Sequence, residues 1–182
     1  MGTQTIATTK WNLDPTHSEI GFKVKHMMIT NVSGSFGKFD VQVNTDGNDF
    51  TTANISFDAD LNSISTGNPD RDNHLKSADF FDATRYPRLK FTSSELVKKD
   101  SDSYTLHGDL VIRDVVRPVK LDVEFGGIGK DPWGNEKAGF TITGKINRTD
   151  YNLNWNAALE TGGVLVSEEV RLFAEVQLIK QA

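Results

Sequence analysis

Histidine is the residue type in this chain best suited to bind a metal or to transfer a proton near neutral pH. The chain contains four: His17, His26, His74 and His107. No two of them have the i, i+2 or i, i+4 spacing that presents two imidazoles to one ion. His17 and His26 have opposite parity and would point to opposite faces of one strand, unless the chain breaks at Pro15. We therefore expect no metal ion and no catalytic residue.

His26 belongs to the stretch IGFKVKHMM, which places apolar side chains at every second position, at Ile20, Phe22, Val24 and Met28. Such alternation is typical of a strand with one buried face, and His26 lies on that face. We expect a hydrogen bond to backbone or carboxylate to hold its imidazole, because an unpaired buried polar group costs about 1–3 kcal/mol. The alternatives are a polar contact to an apolar ligand, or a base or ligand in an enzyme acting on a lipid-like or small apolar substrate.

Two of the arginines outside the alternating segments are candidates for binding a ligand. Arg71 is followed by Asp72 and His74. We expect these three residues to hold their segment, a helical insertion described below, against a β-barrel through a salt bridge and a cap. Arg148 is expected to pair with Asp150 and brace a loop. Guanidinium also suits phosphate because its donors form a fork, so Arg71 and Arg148 are candidate contacts for a ligand head group.

Charge and cysteine content exclude several classes of function. The 182 residues include 20 basic and 25 acidic side chains, with a net charge of -5, whereas proteins that bind phosphate backbones cluster Lys and Arg. We expect no nucleic-acid partner. The chain has no cysteine, so disulfides, thiolate nucleophiles and cysteine-based metal sites are excluded.

Length and hydropathy bear on domain organisation and location. We expect one domain over residues 1–182. No stretch approaches the ~20 apolar residues of a membrane-spanning helix, and the start MGTQTIATTKW lacks the apolar core of a secretory signal. The chain as written is predicted to be cytoplasmic. Removal of a signal peptide would make it periplasmic or secreted.

Alternation of apolar and polar residues dominates the chain. Besides IGFKVKHMM, seven segments follow this period, beginning at Phe39, Ala53, Leu89, Tyr104, Val119, Phe140 and Val170. One-sided strands at short spacing indicate an antiparallel sandwich or barrel. Eight strands closed as a barrel leave an interior that side chains fill or that holds one small ligand. The extended run from Lys10 to Met28 is too long for one strand, so we expect a break at Asp14 and Pro15.

Two segments depart from the alternation. In the first, Asn68 and Pro69 begin a predicted helix whose apolar face carries Leu75, Ala78 and Phe81. We expect this short helical insertion to lie across the barrel. The second segment, residues 147–170, is polar and aromatic with a turn at Gly162 and Gly163. It is predicted to form a lid or a plug for one barrel end.

The inward-facing positions favour a tunnel over a filled core. Small residues recur there and would leave space, at Ala53, Ala59, Gly108 and Gly144, and aromatic side chains can form a rigid apolar wall. The predicted wall comprises Ile20, Phe22, Val24, His26, Met28, Phe39, Val41, Ile55, Phe57, Phe91, Leu110, Ile112, Phe125, Phe140, Ile142 and Trp155. The alternative is a structural or stress-protective scaffold whose barrel is full.

Four motifs resemble those of the YceI-like family, in the same order and over nearly the whole chain, from Trp11 to Ile179. They are WNLDPTHSEIGFKVKHMMITNVSGSFGKFD, DRDNHLKSADFFDATRYPRLKF, HGDLVIRDVVRPVKLDV and INRTDYNLNWNAALETGGVLVSEEV. One position departs from the family pattern. The family commonly has Phe-Gly or Trp-Gly after the Arg-x-Asp of the late loop, where this chain has Tyr151 and Asn152.

The resemblance implies an all-β, lipocalin-like, eight-stranded antiparallel barrel with a short helical insertion and a long apolar tunnel. It implies binding of a polyisoprenoid, an isoprenoid quinone or a related amphiphile, with a carrier or sequestering role and no enzymatic activity. No cofactor is expected beyond such a bound lipid or quinone. The chain is similar to the shorter, leaderless members, which favours a cytoplasmic location, and the family suggests a homodimer.

Overall fold

The computed structural model describes residues 8–157, 159 and 163–181. One α-helix, α1, spans Pro69–Lys76, and short 3-10 helices span Pro15–His17, Leu61–Ser63 and Arg148–Tyr151. The strands are β1 (Thr8–Leu13), β2 (Glu19–His26), β3 (Thr30–Phe36), β4 (Phe39–Asp46), β5 (Asp49–Asp60), β6 (Ile64–Ser65), β7 (Arg88–Lys98), β8 (Ser103–Ile112), β9 (Val115–Lys130), β10 (Glu136–Asn147) and β11 (Val166–Lys180). Among the described helices, none is long and apolar enough to cross a bilayer.

Eight of these strands close into an antiparallel barrel. Neighbouring strands pair in the order β1, β4, β5, β7, β8, β9, β10 and β11, and β1 pairs with β11 to complete the ring. Trp11 faces Lys180 across this closing pair and Val43 across the pair with β4. The predicted eight-stranded antiparallel barrel with one short helix is confirmed.

The other three strands continue barrel strands beyond a break. β2 follows β1 after the expected break at Asp14 and Pro15, β3 precedes β4 across Gly37 and Lys38, and β6 follows β5 after the 3-10 helix at Leu61–Ser63. β2 pairs with β11 between Val166 and Glu175, β3 pairs with β2, and β6 pairs with β3. This three-stranded extension lengthens the wall on the side where α1 is inserted.

A buried carboxylate, Asp14, ties the break between β1 and β2 to β10. Its Oδ2 accepts hydrogen bonds from Lys137 Nζ at 2.7 Å and from His17 Nδ1 at 2.8 Å, and its Oδ1 accepts one from the Thr16 hydroxyl at 2.8 Å. Burial by itself raises the pKa of Asp14, but the hydrogen bonds from Lys137, His17 and Thr16 outweigh it and hold that pKa well below its usual range.

An aromatic cluster fills one end of the barrel, beside the turn between β4 and β5. Its ring centroids lie 5.0 to 5.4 Å apart between neighbours, and its members are Trp11, Phe50, Phe125 and Phe140. The buried Trp11 Nε1 donates to Thr45 Oγ1 at 3.0 Å, which satisfies the indole donor. We call these four residues the aromatic plug.

The small inward-facing residues do not open the interior as the sequence predicted. A Cβ on Gly108 would lie 2.5 Å from the Phe91 ring, and a Cβ on Gly144 would collide with Leu121. Neighbouring side chains therefore occupy the space that the glycines leave. Ala59 is fully buried in the core, and none of these small residues lines the cavity described below.

The helix α1 is too short to include all the residues of the predicted apolar face. The Asn68 side chain accepts hydrogen bonds from Asp70 N at 3.0 Å and Arg71 N at 3.2 Å, as an N-cap does. The helix ends at Lys76 because Ser77 adopts an extended conformation and its hydroxyl donates to the His74 carbonyl at 2.6 Å. The predicted helical face of Leu75, Ala78 and Phe81 is therefore wrong: Ala78 and Phe81 follow the helix, and Ala78 is exposed.

Candidate functional site

An apolar cavity of about 380 Å³ lies inside the barrel. This volume is within the range of about 300–1,000 Å³ typical of small-molecule sites. Phe50 and Phe140 of the aromatic plug line one end of the cavity, and His26, Arg71 and Trp155 line the other. Between the ends the wall is aliphatic and aromatic, with contributions from Val41, Leu89, Phe91, Leu110, Ile142 and Val176.

The second end of the cavity lies against α1 and the loop after β10, and we call it the α1 end. The His74 ring packs edge-on against Trp155 with centroids 4.7 Å apart, and both rings contact Phe80, at 5.0 and 5.4 Å. Leu153, Trp155 and Leu165 carry the loop into the cavity wall. The predicted lid or plug thus forms part of the wall at this end, whereas Gly162 of its predicted turn is outside the described residues.

Arg148 is the buried cation of the α1 end, with 3% of its surface exposed. Its guanidinium donates to four backbone carbonyls, those of Ser167, Leu153, Trp155 and Val166, at 2.8, 2.5, 2.9 and 3.3 Å. The predicted pair with Asp150 is wrong, because Asp150 is exposed and the guanidinium turns inward to these carbonyls. Burial lowers the pKa of Arg148, and the negative charge of Glu168 opposes that effect.

The departure from the family motif after Arg148 is accommodated by the backbone. Asn152 adopts a left-handed conformation with φ of 63° and ends the 3-10 helix, a role that asparagine fills better than other non-glycine residues. Tyr151 is buried, and its hydroxyl has no hydrogen-bond partner among the described residues. Burial raises the pKa of Tyr151 to about 12.

Arg71, Asp72 and His74 hold α1 in place, but not through the predicted salt bridge. Arg71 donates from Nε to Thr66 Oγ1 at 2.8 Å and from Nη2 to the Thr66 carbonyl at 2.7 Å. Asp72 accepts hydrogen bonds from the same threonine, from its N at 2.8 Å and its hydroxyl at 2.6 Å. His74 Nε2 pairs with Asp79 at 2.9 Å. Arg71 and Asp72 therefore both bind Thr66, and neither forms a salt bridge with the other.

His26 lies half-buried on the cavity wall at the α1 end. The expected hydrogen bond to backbone or carboxylate is not found among the described residues. The other histidines are apart from it: His17 is exposed and bound to Asp14, His74 packs on Trp155, and His107 is half-buried on β8 outside the cavity wall. The described part of the chain has no group of three or more His, Asp or Glu side chains that could hold a metal.

Most predicted wall positions line the cavity in the structure. They are Ile20, Phe22, Val24, His26, Val41, Ile55, Phe57, Phe91, Leu110, Ile112, Phe140, Ile142 and Trp155, together with the candidate head-group contacts Arg71 and Arg148. Contact of these side chains with a ligand stays a prediction.

Three predicted wall residues lie elsewhere. Met28 is 52% exposed, because β2 ends at His26 and the chain turns at Met27 and Met28 with φ of 54° and 63°. Phe125 belongs to the aromatic plug, stacked on Phe140 where the pairing of β9 and β10 shifts register. Phe39 begins β4 and packs half-buried against the core.

Some cavity residues were absent from the predicted wall. Val32 and Phe36 of β3 line it, and they alternate with polar residues in TNVSGSF. The signal was therefore present, but the glycine inside that segment, Gly34, and the shortness of the segment concealed a strand. Phe80, Leu153 and Leu165 also line the cavity from irregular segments, where periodicity gives no indication of facing.

A family model for the YceI-like domain matches residues 11–178 of this chain. A UPF0312 protein of Staphylococcus epidermidis is 41% identical over 170 residues, which cover 93% of this chain and 96% of the relative. A crystal structure of the Campylobacter jejuni YCEI protein is 32% identical, covers 100% of both chains and gives a TM-score of 0.76. A polyisoprenoid binding domain from Saccharophagus degradans, 16% identical, shares the fold with a TM-score of 0.66 over 97% of this chain and 100% of that domain.

Proposed function

Since this chain belongs to the YceI-like family, we propose that it binds one long apolar amphiphile inside its barrel and acts as a carrier or sequestering protein. The ligand class is a polyisoprenoid, an isoprenoid quinone or a similar lipid. The chain is a binding protein in this proposal, and no catalytic step is assigned to it.

The cavity is the observation that carries the proposal. An unfilled apolar space inside a barrel is destabilising, because its lining atoms lack partners on one side. A lipid chain would supply those partners and would gain about 0.8 kcal/mol for each CH₂ group removed from water. The wall between Phe50 and Trp155 is apolar, so it suits a tail and does not need specific polar contacts there.

The surroundings of His26 favour binding over catalysis. A catalytic base is held in position by a third group, usually a carboxylate or a backbone carbonyl. Among the described residues the His26 imidazole has no such partner. The alternative of an enzyme acting on a lipid-like or small apolar substrate therefore has no specific observation in its favour.

Mild purification and cavity filling test the proposal together. We expect native mass spectrometry followed by organic extraction to give a hydrophobic mass from the wild-type protein. Ala174 is buried and lines the cavity, so Ala174→Phe should fold and contain less of this ligand. Ser56→Phe, at an exposed position of β5, should retain it.

Two results would overturn the proposal. Repeated preparations without any hydrophobic mass would contradict ligand binding. Loss of about 1–3 kcal/mol of stability in Ala174→Phe, with no ligand lost, would indicate a packed interior and favour the full-barrel scaffold. The cytoplasmic location and the homodimer are further proposals, which cell fractionation and light scattering test.

A further inference from the structure

We propose that the amphiphile carries an anionic head, a carboxylate or a phosphate, and that cations at the α1 end of the cavity bind it. This inference rests on the proposed function, because it assigns the chemistry of one end of the same ligand. The polar residues that line the cavity are Lys25, His26, Thr66, Arg71, His74 and Arg148, and of these Lys25 lies at an exposed position of β2. Within the described part of the chain, no Asp or Glu lines it.

The carboxylates nearest to these cations are engaged elsewhere. Asp72 accepts both of its short hydrogen bonds from Thr66. Asp79 pairs with His74 Nε2 at 2.9 Å. Glu168 is exposed, and it acts on Arg148 through its charge and not through a hydrogen bond. The positive charges of Arg71, Arg148 and Lys25 are therefore not neutralised by an ion pair among the described residues.

Arg71 has donors to spare. Its Nε and one Nη2 hydrogen bind Thr66, which leaves both Nη1 hydrogens without an acceptor in the described residues. Guanidinium carries five N–H donors, arranged to fit two oxygens of one anion. The grip on Thr66 fixes the orientation of Arg71, so a head group would meet a preorganised donor pair.

Arg148 would attract an anionic head group through its positive charge more than through free N–H donors. Four of its five N–H groups are taken by carbonyls, but carbonyl dipoles do not cancel a net charge. The buried guanidinium is poorly screened by water, which strengthens its attraction for an anion. The Trp155 carbonyl accepts from Arg148, and the Trp155 ring packs on His74, one turn after Arg71. Arg71 and Arg148 thus belong to one contact network at the α1 end.

Matched pairs of ligands test the head-group assignment on the wild-type protein. The neutral dye N-phenyl-1-naphthylamine would first be bound in the cavity. Its displacement would then be titrated with two pairs of compounds: palmitate and its methyl ester, and farnesyl phosphate and farnesol. Charge-assisted hydrogen bonds are worth about 1.5–3 kcal/mol. The concentration of each acid that displaces half of the dye should therefore be lower than that of its neutral partner by a factor of about ten or more. The two pairs distinguish carboxylate from phosphate.

Each outcome of this titration has one meaning. Equal potency within both pairs would overturn the anionic head and leave lipid binding intact. Failure of all four compounds to displace the dye would count against the proposed function itself. A preference for the acid in one pair alone would support the proposal and identify the head group.

Charge removal at the α1 end tests which residues carry the preference. In Arg71→Gln combined with Lys25→Gln, we expect the acids to lose most of their advantage while the neutral compounds bind as before. Arg88→Gln is the matched control, since Arg88 is exposed on β7, pairs with Asp58 at 3.0 Å and does not line the cavity. An undiminished preference in the double variant would overturn the assignment, and circular dichroism would verify that it is folded.

Discussion

Arg148 holds the loop after β10 by donating hydrogen bonds to four backbone carbonyls. Its replacement by Ala would remove this donor from the buried or half-buried carbonyls of Leu153, Trp155 and Ser167, whereas the Val166 carbonyl would keep Asn156 Nδ2 as a donor at 2.7 Å. Each unsatisfied group costs about 1–3 kcal/mol, part of which water recovers. We expect Arg148→Ala to lower the free energy of unfolding by about 3–5 kcal/mol in urea titrations, as for other broken buried networks.

The control for this loss is Arg171→Ala. Arg171 is exposed on β11 and lies 3.7 Å from Glu169 in a surface pair, which contributes about 0–1 kcal/mol. Equal effects of the two substitutions would show that the carbonyl network of Arg148 is not a major source of stability.

Asp14 makes stability depend on pH at the acid end. Its pKa is lowered in the folded protein, so below the ordinary Asp pKa of about 4 the unfolded chain binds a proton that the folded chain does not. The stabilising contribution of Asp14 is therefore complete above that pH and is lost as the pH falls toward its folded pKa. We expect the stability gap between wild type and Asp14→Asn to be largest at pH 7 and to narrow below pH 4.

Urea titrations at pH 7, 4 and 3 measure this gap, with Asp109→Asn at an exposed position as the control. A gap for Asp14→Asn that is constant over this pH range would contradict the role of its ionised form.

At the scale of residues, the sequence predicted which strand side chains face the interior, but it did not predict the hydrogen-bond partners of the two arginines. Alternation correctly turned Phe22, Val24 and His26 toward the interior, because facing in a strand depends only on parity. The partners of Arg71 and Arg148 depend on which loops fold back over the barrel end. The acidic residues that are close in sequence, Asp72 and Asp150, are therefore not the partners of these arginines.

At the scale of elements, the turn between β2 and β3 is made of residues that disfavour it. Met27 and Met28 both have positive φ, of 54° and 63°, at the central positions of a turn in which Ile29 N donates to the His26 carbonyl at 3.2 Å. Turns with positive φ at both central positions prefer Asn-Gly there. A left-handed conformation costs non-glycine residues about 1–2 kcal/mol each. We expect Met27→Asn combined with Met28→Gly to raise the free energy of unfolding by about 1–2 kcal/mol.

The reciprocal substitution is the control for this turn. Gly47 between β4 and β5 has φ of 57° with open space around its Cα, so Gly47→Met should be destabilising by about 1 kcal/mol through backbone strain alone. Thermal unfolding followed by circular dichroism measures both variants. A destabilising effect of the Asn-Gly turn would show that the methionine side chains, and not the backbone, determine its stability.

The sequence predicted how many strands close the barrel, but the structure has eleven strands in all because three of the barrel strands continue beyond a break. Pro15 marked one interruption because proline lacks a ladder donor, and the break is there. The interruption at Leu61–Ser63 has no proline or glycine and was not expected. Asp60 caps that turn by accepting from Asn62 N at 2.9 Å, a local interaction that also suits an ordinary loop.

At the scale of the whole molecule, closure of the sheet came from the family resemblance, since alternation alone allows a sandwich. The positions of small residues in the sequence did not predict where the cavity lies, because the side chains of Phe91 and Leu121 fill the space beside Gly108 and Gly144. It depends on the aromatic plug, which fills one end and leaves the space toward α1. Such a division of the interior is a property of packing among distant strands, and a single sequence does not reveal it.

The position of the three tryptophans relative to this division allows ligand orientation to be measured. Trp11 belongs to the aromatic plug, Trp155 lines the α1 end, and Trp133 is 83% exposed on the turn between β9 and β10. If the head lies at the α1 end, 2-bromohexadecanoic acid should quench Trp155 fluorescence more strongly than 16-bromohexadecanoic acid. Trp155→Phe should remove the stronger quenching by the 2-bromo acid, because phenylalanine retains the ring contacts with His74 and Phe80 without the indole emission, and the remaining buried tryptophan, Trp11, lies in the aromatic plug at the other end. Trp133→Phe should preserve it, and stronger quenching of Trp155 by the tail bromine would place the tail at α1 and reverse the orientation.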